Sequence, residues 1–207
     1  MLSKIDKRLV QIEELKNDII GMLPDGNAFL EQIKSNAMAF GSLHARSLKE
    51  LRVAAIMDRF TLECFEPECD LVELTPDNWR QEVDAFNPEL LFVESAWEGK
   101  NGSWYRKIAH CSDELYELTE YCHKRKIPVV FWNKEDPVYT DTFIPAARCA
   151  DAVFTTDIDC IEKYKTELGH DRVYHLHFAA QPRVHNPIEK YKRKDKFCFA
   201  GAYYHRY

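Results

Sequence analysis

The chain has 207 residues, 45% hydrophobic and 30% charged, with a formal net charge of −6. That is the make-up of one sizeable globular domain or two small ones. The acidic balance argues against a general nucleic-acid binder, which carries a basic face, and no apolar run approaches the roughly 20 residues that span a bilayer. The amino terminus lacks a signal-peptide core, so a cytoplasmic location is expected. Seven cysteines, at 64, 69, 111, 122, 149, 160 and 198, form no CxxC pair and read as reduced structural thiols.

Residues 3–23 place Ile5, Leu9, Ile12, Leu15, Ile19, Ile20 and Leu23 on one helical stripe, stopped by Pro24-Asp-Gly26. The stripe is short for a coiled coil, so packing within the chain is expected, with self-association as the alternative. A second helix is predicted over 27–40, and Ser42–Glu50 reads as a linker. Residues 1–45 are thus a helical segment ahead of the main domain.

From Leu51 the pattern alternates between strand and helix. Predicted strands are Arg52–Met57, Asp70–Thr75, Glu89–Val93, the apolar start of Pro128–Pro137, Ala152–Thr156 and Val173–Phe178. Predicted helices follow Pro76-Asp77 (carrying Trp79 and Val83) and span 104–125, 138–148 and 157–167, the last ending at Gly169. The 104–125 helix would turn Ile108, Leu115, Leu118 and Cys122 inward. Six such rounds imply an α/β fold, a Rossmann-like, doubly wound and mostly parallel sheet over 46–182, with right-handed crossovers covering both faces. Gln181–Lys196 is polar and basic and resembles an interdomain connection. Phe197-Cys-Phe-Ala-Gly201 then reads as a strand opening a further unit, so a truncated second domain is expected over 183–207.

The chain holds no GxGxxG after its first strand, no P-loop and no GxSxG elbow. What remains is a row of polar strand ends, where open α/β sheets bind ligands. Asp58, Glu94, Glu135 and Asp136 are the candidate proton acceptors, and Ser95, Asn133, Lys134, Thr156 and Asp157 are candidate substrate contacts. Each also has a plainer role: Asp58 as a strand stop or cap, Asp136 as a turn former before Pro137, Asp157 as a helix N-cap. Trp97, Trp104 and Trp132 are either stacking platforms or packing anchors. His175 and His177 share a strand face, which suits packing better than a metal site.

The strings Ile56-Met-Asp58, Leu91-Phe-Val-Glu-Ser95, Phe131-Trp-Asn-Lys-Glu-Asp-Pro137, Val153-Phe-Thr-Thr-Asp157, Phe178-Ala-Ala-Gln-Pro182 and Phe199-Ala-Gly201 together resemble the CgeB-like glycosyltransferases. The resemblance covers about 46–207, and Trp132–Pro137 is its most distinctive part. It implies a GT-B arrangement of two Rossmann-like domains about a cleft. Residues 51–180 would be the acceptor-side half, and a nucleotide-sugar donor would be held mainly by a second domain starting at Phe197–Gly201. Gly201 would approach the donor phosphates, with His205 and Arg206 neutralising them. The acceptor would be a glycan or another hydroxyl compound, and neither a metal nor another cofactor is called for. A non-catalytic glycan- or protein-binding module is the alternative. A receiver-type domain phosphorylated on Asp58 is a third reading.

Overall fold

The computed structural model describes residues 47–185 and 195–197. The expected helices over 3–23 and 27–40, and Gly201, His205 and Arg206, lie outside the described residues. Six strands form one sheet: β1 (Arg52–Ile56), β2 (Asp70–Glu73), β3 (Leu90–Glu94), β4 (Val129–Asn133), β5 (Ala152–Thr155) and β6 (Val173–His175). All neighbours pair in parallel in the order β2-β1-β3-β4-β5-β6. Central strands of such a sheet are covered on both faces, so β1, β3 and β4 read as near-continuous apolar runs.

Among the described residues the α-helices are α1 (Arg59–Phe65), α2 (Trp79–Phe86), α3 (Asp113–Lys124), α4 (Thr140–Ala147) and α5 (Ile161–Leu168). Alternation along the strands sorts the core into two layers. Ala54, Ile56, Leu91, Val93, Val129, Phe131 and Val153 face α2, α3, α4 and α5 through Val83, Leu115, Leu118, Phe143 and Tyr164. Val53, Ala55, Met57, Phe92 and Trp132 face the other way, toward Leu62 and Phe65 of α1. Both faces receive helices as expected, but unequally. Only the β1-to-β2 connection moves toward the β2 edge, so a right-handed crossover puts α1 alone on its side. The chain after β6 adds to that side. Gln181 is buried there, and its amide donates to Cys64 O and Glu68 Oε1, both at 2.9 Å. Residues 181–185 are therefore docked on the domain, not a free connection.

The expected long helix over 104–125 is a correction. The helix proper starts only at Asp113, where Ser112 Oγ accepts from Leu115 N. Ahead of it runs a chain of turns, broken by the left-handed residues Arg106 (φ 61°) and Cys111 (φ 50°). Trp104 and Ile108 are nevertheless buried, because the turns fold them under the sheet edge. Helix α1 was not legible, since residues 59–65 carry no clear apolar stripe. Gly169 (φ 70°) closes α5 where the sequence placed the helix end, and Asn87 (φ 49°) closes α2, both in the left-handed region.

Phe143 anchors the four-helix layer near the site, fully buried, with Phe131 at 6.3 Å and Trp97 at 5.3 Å between ring centroids. Phe143→Ala is expected to destabilise the domain by about 3–5 kcal/mol. The check is a lower urea midpoint at unchanged slope.

Candidate functional site

The strand order reverses between β1 and β3, and the crevice beyond their carboxyl ends is where a doubly wound sheet takes a ligand. Three strand ends deliver polar groups there. β1 leads to Asp58, β3 ends on Glu94 and Ser95, and β4 leads to Lys134. The Lys134 ammonium pairs with Asp58 Oδ2 at 3.3 Å and with Glu94 Oε1. Ser95 Oγ accepts from Lys134 N at 2.9 Å, tying the third and fourth strand ends together.

Asp58 is more than a strand stop. It occupies the position before α1 but makes no side-chain cap there. Its oxygens accept instead from the backbone N–H groups of Trp97 (3.0 Å), Glu98 (3.1 Å) and Gly99 (2.8 Å). The loop after β3 is thus wrapped around one carboxylate. Gly99 is required: its φ is +62°, and a Cβ would stand 2.7 Å from Trp104 Cδ1. Trp104 itself is an anchor, with Nε1 donating to Leu74 O at 2.8 Å. Both Asp58 oxygens are engaged, which leaves no open oxygen for a phosphate acceptor.

The charges follow from this geometry. Burial pushes the Asp58 carboxyl up, but the Gly99 and Trp97 amides, the Lys134 ammonium and the Glu98 amide outweigh it and hold it below its ordinary value. Glu94 is 0% exposed, and there burial prevails over Lys134 and the Thr61 hydroxyl, so its carboxyl lies above the usual range. For Lys134, burial works against the charge. The Glu94 and Asp58 carboxylates reverse that and hold the ammonium above its ordinary value.

Asn133 and Asp136 belong to a different place. Successive strand residues point to opposite faces, so Asn133 turns to the four-helix side while Lys134 turns to the α1 side. On its side Asp136 is a hub. Oδ1 accepts from Asn133 Nδ2 (2.9 Å), Thr140 Oγ1 (2.7 Å) and Tyr164 OH (3.2 Å), and Oδ2 accepts from Thr155 Oγ1 (2.6 Å). Burial raises the Asp136 carboxyl above its ordinary value, against the pull of the Thr155, Thr140 and Tyr164 hydroxyls. Four donors on one half-buried carboxylate make Asp136 a brace for β4, β5, α4 and α5.

The other sequence candidates spread along the rim. Glu135 is half-buried, and its carboxylate makes no hydrogen bond or ion pair among the described residues; its N–H donates to Asn133 Oδ1 at 3.0 Å. Trp97 is 38% exposed and packs edge-on against Tyr139 and Phe143. Trp132 is buried, its Nε1 donating to Leu176 O at 3.1 Å, so it is an anchor and not a surface platform. Thr156 Oγ1 reaches Asn133 O at 3.5 Å, and Asp157 caps the short turn Ile158–Cys160 by accepting from Asp159 N at 2.9 Å. The His175 and His177 rings meet edge to face, with centroids 4.1 Å apart.

The sequence reading brought Asn133–Asp136 together as one site, whereas the structure divides it between two faces. It also missed Thr61, Gly99, Thr140 and Tyr164. Tyr164 looks like any inward helix residue, and only its hydroxyl contacts reveal its role. Comparison of the chain with protein-family models, with curated proteins and with solved structures finds no match.

Two predictions test this electrostatic arrangement. Lys134→Met strips the cation from two carboxylates, one fully buried, and is expected to destabilise by about 3–5 kcal/mol. Adding Glu94→Gln should recover part of that loss, and strictly additive losses in a double-mutant cycle would contradict the pairing. Asp58 has a folded pKa below its unfolded value of 3.8, so its stabilisation is present above that pH and lost as pH falls through the folded pKa. Asp58→Asn should therefore cost about 1.5–3 kcal/mol at neutral pH. Denaturant midpoints should show the penalty fading as pH falls below 3.8 and through the folded pKa.

Proposed function

We propose that this domain is the acceptor-side half of a nucleotide-sugar-dependent glycosyltransferase. The observation that carries the reading is the convergence of Asp58, Glu94, Ser95 and Lys134, from three strand ends, at the point where the strand order reverses. Three of the strings resembling the CgeB-like glycosyltransferases, Ile56–Asp58, Leu91–Ser95 and Phe131–Pro137, fall at these same strand ends. In this reading the ion cluster holds the crevice rigid. The half-exposed Trp97 ring offers an apolar face to a sugar.

Sugar transfer needs an acceptor hydroxyl with its proton removed or polarised, a stabilised diphosphate leaving group, and exclusion of water. Of the four carboxylates named from sequence, Asp58, Glu94 and Asp136 are engaged by internal partners. Glu135 is the acceptor left for an incoming hydroxyl proton in an inverting reaction. The Lys134 ammonium is held by two carboxylates, so the donor diphosphate requires other basic groups. The resemblance assigns that role to His205 and Arg206, with Gly201 beside the phosphates.

A second reading, a non-catalytic glycan- or protein-binding module, is favoured by the internal engagement of Asp58, Glu94 and Asp136, the second by the Lys134 ion pair. Saturation-transfer NMR on the full chain with cellobiose, maltose and chitobiose tests the shared premise. Binding is expected, and Trp97→Ala should weaken it about tenfold, near 1.4 kcal/mol, without changing the melting temperature. Glu135→Gln should leave binding intact and cut transfer from nucleotide-sugars by about 10²–10⁴-fold. Binding without transfer would establish the second reading, and no binding of any carbohydrate would sink both.

A further inference from the structure

Away from the ligand crevice, two thiols from distant parts of the chain meet. Cys111 Sγ and Cys149 Sγ lie 2.8 Å apart. Cys111 ends the run of turns before α3, in the left-handed region with φ 50°, and its N–H donates to Ile108 O at 3.1 Å. Cys149 follows α4, its N–H donating to Ala146 O at 3.0 Å. Neither lies inside a helix or strand, so small backbone adjustments can bring the sulfurs into bonding geometry. Both are half-buried. Cys122 and Cys160 are buried, and among the described residues no other pair of sulfurs is in contact.

We infer that Cys111 and Cys149 form a thiol–disulfide exchange site, in which Cys149 attacks a low-molecular-weight disulfide and Cys111 resolves the adduct.

The environment makes the two sulfurs unequal. Cys149 Sγ donates to Pro145 O at 3.6 Å, which leaves Cys111 as the donor across the sulfur–sulfur contact; that hydrogen bond lowers the Cys149 pKa despite burial, and the Thr119 hydroxyl acts in the same direction. That same hydrogen bond, with burial, pushes the Cys111 thiol up. Cys149 is therefore the first nucleophile. Its thiolate bonds to one sulfur of the small disulfide, whose S–S bond breaks and whose other half leaves as thiolate, taking up the proton Cys149 gave away. Cys111 then loses its proton to water and attacks the Cys149 sulfur. The second small thiolate leaves and is reprotonated. Two protein thiols are oxidised by two electrons, and one small disulfide is reduced to two thiols.

The new bond would fasten the end of the loop after β3 to the end of α4. That loop carries Trp97 and the three amides that hold Asp58, and α4 carries Phe143, against which Trp97 packs. Oxidation is thus a brace on one wall of the crevice, and the melting temperature of the oxidised chain should rise.

The test is incubation of the full chain with oxidised glutathione, quenching with N-ethylmaleimide, and peptide mapping. A peptide linked through Cys111 and Cys149 is expected, with Cys64 and Cys69 alkylated. Cys111→Ser should stop at a stable glutathione adduct on Cys149. Cys149→Ser should slow adduct formation on Cys111 by about tenfold or more. Glutathione spread evenly over Cys64, Cys69, Cys111 and Cys149, or no linked peptide, would overturn the inference. The wild-type map decides this by itself if either serine variant fails to fold.

Discussion

A lysine ammonium with a tenth of its side chain exposed is tolerable only where anions replace the water it has lost. At the carboxyl edge of this sheet those anions are Glu94 and Asp58, delivered by different strands from Lys134 itself. The cluster therefore depends on the parallel registers that bring β1, β3 and β4 side by side. It also acts back on the chain. Asp58, charged and fixed, gathers the amides of Trp97, Glu98 and Gly99 and so sets the course of the loop that follows β3.

Across the sheet edge, the Asp136 hub performs the matching task without a cation. Its partners are an amide and three hydroxyls, from β4, β5, α4 and α5. Hydrogen bonds to a half-buried carboxylate of this kind are worth more than bonds between neutral groups. Together the two clusters stiffen both lips of the crevice edge. A ligand entering there meets the rim groups, Trp97 and Glu135, before it meets the buried charges. The proposed function rests on those rim groups for contact and on the buried ones for position.

Much of the fold was legible because its signals are local. Apolar runs such as Val129-Val-Phe-Trp132 are short and bounded by proline or charge, and six of them alternate with helical patterns. Gly169 announced the end of a helix through its freedom to take positive φ. The stretch 104–112 was misread because Trp104 and Ile108 fit a helical period, yet the buried positions come from turns. A period-3.6 pattern records burial and does not distinguish a helix from turns that bury the same residues.

The sequence by itself determined the parallel α/β class and the set of polar residues that end the strands, because strand length, alternation and stop signals are properties of neighbouring residues. Tertiary structure decided which of those polar groups meet. Asn133 and Lys134 are adjacent in the chain yet serve clusters on opposite faces, because the backbone of β4 turns successive side chains apart. Asp58 and Gly99 are far apart in the chain, and only the pairing of β1 with β3 sets the carboxylate against the loop amides. Whether a carboxylate is a brace or an available acceptor depends on which donors the fold packs around it, and those donors come from other elements.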